Sequence, residues 1–118
     1  MADPNFILLY VANPAASATF YAGLLGHAPV ESSPTFAMFA LPSGVMLGLW
    51  GSAGVEPPAT PPGGGELAFA VPDIEPVYAA WCARGLPILQ APTEMDFGRT
   101  FLAADPDGHR LRVFTPAG

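Results

Sequence analysis

Few residues of this chain can do chemistry. Trp50 ends the apolar run SGVMLGLW at the mouth of a Gly-rich stretch, where an indole offers a flat surface for stacking at small entropic cost. Its plainer role would be packing at a subunit contact. Trp81 falls on a helical pattern with Val77 and Tyr78 and reads as core. Arg112 carries a planar fork that suits a carboxylate. The two histidines do not suggest a proton relay: His27 follows the helix-ending Gly26 and can cap that helix, while His109 adjoins a DPDG turn and alternates toward the helix side. The lone Cys82 lies in a helical pattern and reads as a small buried apolar residue rather than a nucleophile. It leaves no partner for an internal disulfide and fits a reducing compartment. With no lysine in the chain, a phosphate loop with its lysine is excluded.

Composition narrows the function classes further. Ten acidic residues against four arginines give a formal charge of −6, which repels a phosphate backbone and argues against nucleic acid. No apolar stretch reaches membrane-spanning length and no basic start precedes an apolar run, so the expectation is a cytoplasmic protein with no membrane partner. At 118 residues, 51% hydrophobic and 12% charged, the chain has room for one domain around one core.

The elements that must position these residues occur twice. LLYVANPAASATFY aligns with AFAVPDIEPVYAAW, so Val11 meets Val71 and Asn13 meets Asp73, about 60 residues apart. LPSGVMLGLW aligns with DPDGHRLRVF, placing Gly44 on Gly108 and Trp50 on Phe114. In the first copy, a strand over Phe6 to Val11 leads through the cap Asn13 and first-turn Pro14 into a helix closed by Gly26. In the second, a strand over Glu66 to Val71 leads through the cap Asp73 into a helix ended by Gly85. Three strand-like runs follow each helix: near Val30, Phe36 to Leu41 and Val45 to Trp50, then Pro87 to Leu89, Arg99 to Ala103 and Arg110 to Phe114. The stretch from Gly51 to Gly65, with four prolines and five glycines, has no period and reads as a linker. The chain is thus read as a single domain over 1–118, with units at 5–50 and 66–115 joined by the linker at 51–65.

Alternation assigns faces within the strands. Ile7, Leu9 and Val11, then Leu67, Phe69 and Val71, then Val45, Leu47 and Leu49, and finally Leu111 and Val113 form apolar rows that should face the helices. The opposite rows mix Phe6, Leu8, Tyr10, Met46, Gly48 and Trp50 with Glu66, Ala68, Ala70, Arg110, Arg112 and Phe114. A face of large aromatics interleaved with small and charged residues is pressed against a partner or curled around a ligand.

The duplicated strand, helix, three-strand unit, closed by FGRTFLAADPDGHRLRVF, resembles the vicinal oxygen chelate superfamily of glyoxalases, extradiol dioxygenases and bleomycin-resistance proteins. The resemblance implies an α+β fold in which two pseudo-symmetric βαβββ units form a curled, mixed β-sheet with a concave ligand cavity, commonly as a homodimer. Enzymes of that superfamily hold a divalent metal with one His, Gln or Glu from the first and last strands of each unit. By motif those positions fall here on Phe6, Gly48, Glu66 and Arg112. Only Glu66 offers a donor, and a guanidinium repels a cation, so no metal and no other cofactor is expected. Matched positions also imply that Glu66 and Arg112 form an ion pair, with Arg112 either open to a ligand carboxylate or held as a structural pair. Arg99, within the same motif, either reaches the cavity mouth or forms a solvated pair beside Asp96.

Within the superfamily, LLYVANPAASATFY, SGVMLGLW and FGRTFLAADPDGHRLRV most resemble the phenazine-antibiotic resistance proteins, in which a tryptophan at the end of the fourth strand stacks on the drug. The reading is metal-independent binding and sequestration of a planar aromatic small molecule, with no catalytic residue. Trp50, Arg112, Glu66, Tyr10, Phe6, Met46, Phe114 and Arg99 are the candidate ligand-binding residues. The alternatives are a metal-dependent glyoxalase or dioxygenase of the same superfamily and an accessory binding protein in antibiotic biosynthesis.

Overall fold

The structure, a computed structural model, describes residues 5–55 and 64–117. These fall into two compact units divided at Gly63 and Gly64. The first contains β1 (Phe6–Val11), α1 (Pro14–Leu25), β2 (Glu31–Ser32), β3 (Phe36–Ala40) and β4 (Met46–Gly51). The second contains β5 (Glu66–Ala70), α2 (Ile74–Ala83), β6 (Ile88–Met95), β7 (Gly98–Ala104) and β8 (Arg110–Pro116). Each unit carries one helix and its own four-stranded mixed sheet, ordered β1-β4-β3-β2 in the first and β5-β8-β7-β6 in the second. In both, the first strand runs parallel to the last and the other pairs are antiparallel. The α+β class and the repeated βαβββ order are those expected from the sequence. Of the expected linker, residues 56–63 lie outside the described residues, Gly51 ends β4, and Ser52–Gly54 form a short 3₁₀ turn.

Local chemistry sets the helix ends. Asn13 Oδ1 accepts a hydrogen bond from Ala16 N at 3.1 Å, Pro14 occupies the first turn where its missing N–H costs nothing, and Gly26 closes α1. Asp73 Oδ1 accepts from Glu75 N at 3.0 Å, and Glu75 adds a negative charge to the positive first turn of α2. α1 packs on β3 and β4, burying Ser17, Ala18 and Tyr21 against a sheet face made by Leu9, Val11, Ala37, Phe39, Leu47 and Leu49. Burial of each large side chain there is worth roughly 1.5–3 kcal/mol. Ile7, expected on the same face, is 40% exposed, because β1 is an edge strand and α1 leaves its start uncovered. In the second unit Trp81 is buried as expected. Its ring meets Phe69 and Phe101 edge-on at 5.9 and 5.4 Å, and Tyr78 meets Phe101 at 5.2 Å.

Two local expectations require correction. Cys82 is exposed, because Ile74 and Trp81 take the buried positions of α2 and the next residue turns outward. One turn earlier on α2, Tyr78 has its phenol pKa held above the ordinary value, chiefly by hydrogen bonding with the Cys82 side chain and then by the negative charge of its thiolate. β6 runs to Met95, well past the expected end at Leu89. It is an edge strand whose register shifts between Ile88 and Gln90 and again before Thr93, and such a bulged edge tolerates Pro92.

The DPDG turn is held by a buried polar knot. Asp105 Oδ1 accepts from the backbone N–H of Asp107 at 2.9 Å and of His109 at 2.8 Å, and its other oxygen lies 2.7 Å from His109 Nδ1. Asp105, Asp107 and His109 bring donor atoms within 4.8 Å of one another, but the Asp105 carboxylate is already committed to backbone amides and imidazole. The cluster therefore reads as turn chemistry. Asp105→Ala should cost about 3 kcal/mol by stranding buried donors, measured as a lower midpoint in chemical denaturation, whereas Asp96→Ala, at an exposed residue outside the knot, should cost less than about 1 kcal/mol.

Candidate functional site

The register of β1, β3 and β4 assembles one face of the first sheet from residues distant in sequence. Phe6 lies opposite Met46, Leu8 opposite Gly48 and Tyr10 opposite Trp50, while β3 contributes Phe36 opposite Trp50 and Met38 opposite Gly48. Because directly opposed residues share a face, this row lies away from α1. Phe6 and Leu8 remain 43% exposed although both are large and apolar. A cavity of about 540 Å³ opens here, lined by Phe6, Leu8, Glu31, Ser33, Thr35, Phe36 and Trp50. That volume is in the range of small-molecule sites, which are mainly apolar with a few placed polar groups.

Gly48 makes the floor of this groove possible. A Cβ at this position would come within 2.7 Å of Leu8 Cδ2, 2.9 Å of Phe6 Cε1 and 3.0 Å of Phe36 Cζ. The rings thus lie directly on the backbone of β4. Trp50 is half-buried and makes no ring contact with another aromatic among the described residues. Of the sequence-derived candidates, Trp50 and Phe6 line the cavity, while Tyr10 and Met46 share its face without lining it.

The remaining candidates belong to the second unit. Arg112 Nε donates to Glu66 Oε2 at 2.9 Å, and its Nη1 donates to Thr100 Oγ1 at 3.3 Å. The guanidinium also lies 5.7 Å from the centre of the Phe97 ring. Thr100 in turn donates to the Val113 carbonyl at 2.8 Å. The expected ion pair is present, and Arg112 is engaged on three sides within its own unit. With side-chain exposures of 17% for Arg112 and 38% for Glu66, solvent screens the pair and its contribution to stability is small. Phe114 meets Phe97 edge-on at 5.8 Å.

Arg99 does not join this group. Strand alternation places it with Phe101 and Ala103 on the helix side of the sheet, where its Nε donates to Glu75 Oε1 of α2 at 2.8 Å and its Nη1 lies 3.7 Å from Glu94. Its partners are therefore Glu75 and Glu94 rather than the sequence neighbour Asp96. The hydrogen bond to Glu75 holds the guanidinium pKa above its ordinary value.

The four positions at which superfamily enzymes hold a metal do not fit one here. Phe6 places a ring over Gly48, which has no side chain, and Glu66 is committed to the cationic Arg112. One carboxylate facing a guanidinium gives no convergent set of donors.

Comparison with known proteins decides the family. Residues 4–113 match the Glyoxalase/Bleomycin resistance protein/Dioxygenase superfamily. The chain belongs to this superfamily. It is similar to the phenazine antibiotic resistance protein EhpR of Enterobacter agglomerans, with 33% identity over 116 residues, covering 93% of this chain and 89% of that protein. A protein of Agrobacterium tumefaciens, solved by solution NMR, is 54% identical with full coverage of both chains and a TM-score of 0.91. A glyoxalase-related enzyme from Fulvimarina pelagi is 27% identical, covers 100% of this chain and 94% of its own, and superposes with a TM-score of 0.79.

The sequence reading missed Leu8, Glu31, Ser33, Thr35 and Phe36 as lining residues. Leu8 was legible by alternation with Phe6, whereas the others depend on the β2–β3 turn and on β3 register. Gly48→Ala should change stability by less than about 1 kcal/mol, because the half-exposed ends of Phe6 and Leu8 can swing aside and the strand gains from losing a glycine, while the added methyl and the displaced side chains shrink the groove. Thermal melts together with ligand titration of the same variant check both effects.

Proposed function

We propose that the chain reversibly binds a planar aromatic small molecule in the groove of its first unit, without a divalent metal, and protects by sequestration rather than turnover. The observation that carries this reading is Trp50, whose indole has no ring partner among the described residues and stands on a groove wall with Phe6, Leu8 and Phe36. A flat ring stacked on an indole gains dispersion and offset-stacking energy, about 0.5–1.5 kcal/mol beyond the area it buries. The naming of a 33% identical relative as a phenazine antibiotic resistance protein supports a planar tricyclic ligand. Stoichiometric protection follows from binding alone, so no catalytic residue is required.

In this reading the protein acts in the cytoplasm as a homodimer, an assembly supported by the superfamily resemblance. No helix among the described residues is long and apolar enough to cross a membrane.

Calorimetric titration with phenazine tests the proposal. The wild-type chain should bind saturably at micromolar ligand or tighter, about −8 kcal/mol, with no change after EDTA treatment. Trp50→Ala should weaken binding at least tenfold, while Trp50→Phe, which keeps a flat ring, should lose less. Trp81, buried in the second unit, should be neutral when changed to Phe in a chain that remains folded. Loss of binding on metal removal, or catalytic conversion of the ligand, would overturn the reading.

A further inference from the structure

The polar chemistry of the groove selects a charge class of ligand. Among the described residues its lining contains one ionisable side chain, Glu31, together with the hydroxyls of Ser33 and Thr35. Ser33 Oγ is engaged by the turn between β2 and β3. It accepts from the backbone N–H of Phe36 at 3.2 Å and of Thr35 at 3.4 Å, and lies 3.4 Å from Thr35 Oγ1. Glu31 sits on β2 directly opposite Met38, and Met38 is opposite Gly48, so its carboxylate belongs to the face that carries Phe6, Leu8 and Trp50.

The distribution of cations sharpens the point. All four arginines, Arg84, Arg99, Arg110 and Arg112, lie in the second unit, and the chain has no lysine. No lysine or arginine precedes Gly64, while the same segment carries Asp3, Glu31 and Glu56. Among the described residues no cationic side chain lines the groove to receive a carboxylate or a phosphate. An anion there would meet the Glu31 carboxylate with no compensating cation among the described lining residues, whereas a cation would gain a partner and be drawn by the −6 net charge.

Resting on the groove as the binding site, we propose that it is specific for planar aromatic rings that carry a positive charge, with the ring on Trp50 and the charge against Glu31. Three flat tricyclic probes of similar size test this by calorimetry at fixed low ionic strength: 9-aminoacridinium as cation, phenazine as neutral ring and acridine-9-carboxylate as anion. Wild-type protein should bind the cation at least tenfold more tightly than the anion. Glu31→Gln should bring the two within about threefold of each other while changing the affinity for phenazine less than twofold, and rising salt should narrow the wild-type preference. Asp96→Asn, which removes the same charge from a residue outside the groove, should keep the wild-type order. If all three rings bind in a Trp50-dependent way but without the cation preference, or if Glu31→Gln leaves that preference intact, the charge assignment is wrong and the groove reading stands. If none of the three binds wild-type protein in a Trp50-dependent way, the groove reading falls and takes this assignment with it.

Discussion

Burial of one face of each sheet beneath a helix is the constraint from which the rest follows. Tyr21 of α1 and Trp81 of α2 are the large anchors, Tyr21 buried where α1 packs on β3 and β4 and Trp81 against Phe69 and Phe101. Since a strand turns successive side chains to opposite faces, committing Leu9, Val11, Leu47 and Leu49 to the core commits Phe6, Leu8, Met46, Gly48 and Trp50 to the other face. A shift of one residue in β4 would turn Gly48 toward α1 and bring Leu47 and Leu49 to the opposite face. The core thus enforces the register, and the register assembles the groove.

The two units use equivalent positions for opposite chemistry. Phe6, Gly48 and Phe36 of the first unit correspond in register to Glu66, Arg112 and Thr100 of the second. In one, rings pack onto a bare backbone; in the other, a carboxylate, a guanidinium and a hydroxyl are joined by hydrogen bonds of 2.9 and 3.3 Å. These are alternative ways of closing the same space between the first, last and third strands of a unit. Neither leaves lone pairs converging on one point.

Much of the scaffold was legible because it is written locally. Asn13 followed by Pro14 marks a helix start, Asp73 another, and the period-two rows name the buried faces without knowledge of the pairing. What escaped the sequence depends on contacts that sequence distance conceals. Arg99 lies three residues from Asp96 but reaches Glu75, 24 residues away, because α2 passes over its side of the sheet. Pro92 argues against a strand until β6 is known to be a bulged edge. Phe36 and Glu31 enter the groove through the β2–β3–β4 ladder, whose register is a tertiary fact. The pair of Glu66 and Arg112 was inferred from matched positions in a family pattern, and the structure realises it as a hydrogen-bonded contact.

The duplicated fold offers two aromatic residues at the end of a last strand, Trp50 and Phe114, and their surroundings decide which can act as a platform. Stacking requires a ring face that another aromatic does not already cover. Phe114 is met edge-on by Phe97, which also lies beneath the Arg112 guanidinium, so the second unit spends its ring on internal packing. Opposite Trp50 stand Tyr10 on β1 and Phe36 on β3, yet the indole makes no ring contact among the described residues and faces the cavity. The side chain at position 48 explains the difference. Had the first unit carried an arginine there, as the second does at 112, it would fill the space over β4 that Phe6, Leu8 and Phe36 now frame. The absent Cβ lowers the floor by the depth of a side chain, and the indole is left on the wall of the groove.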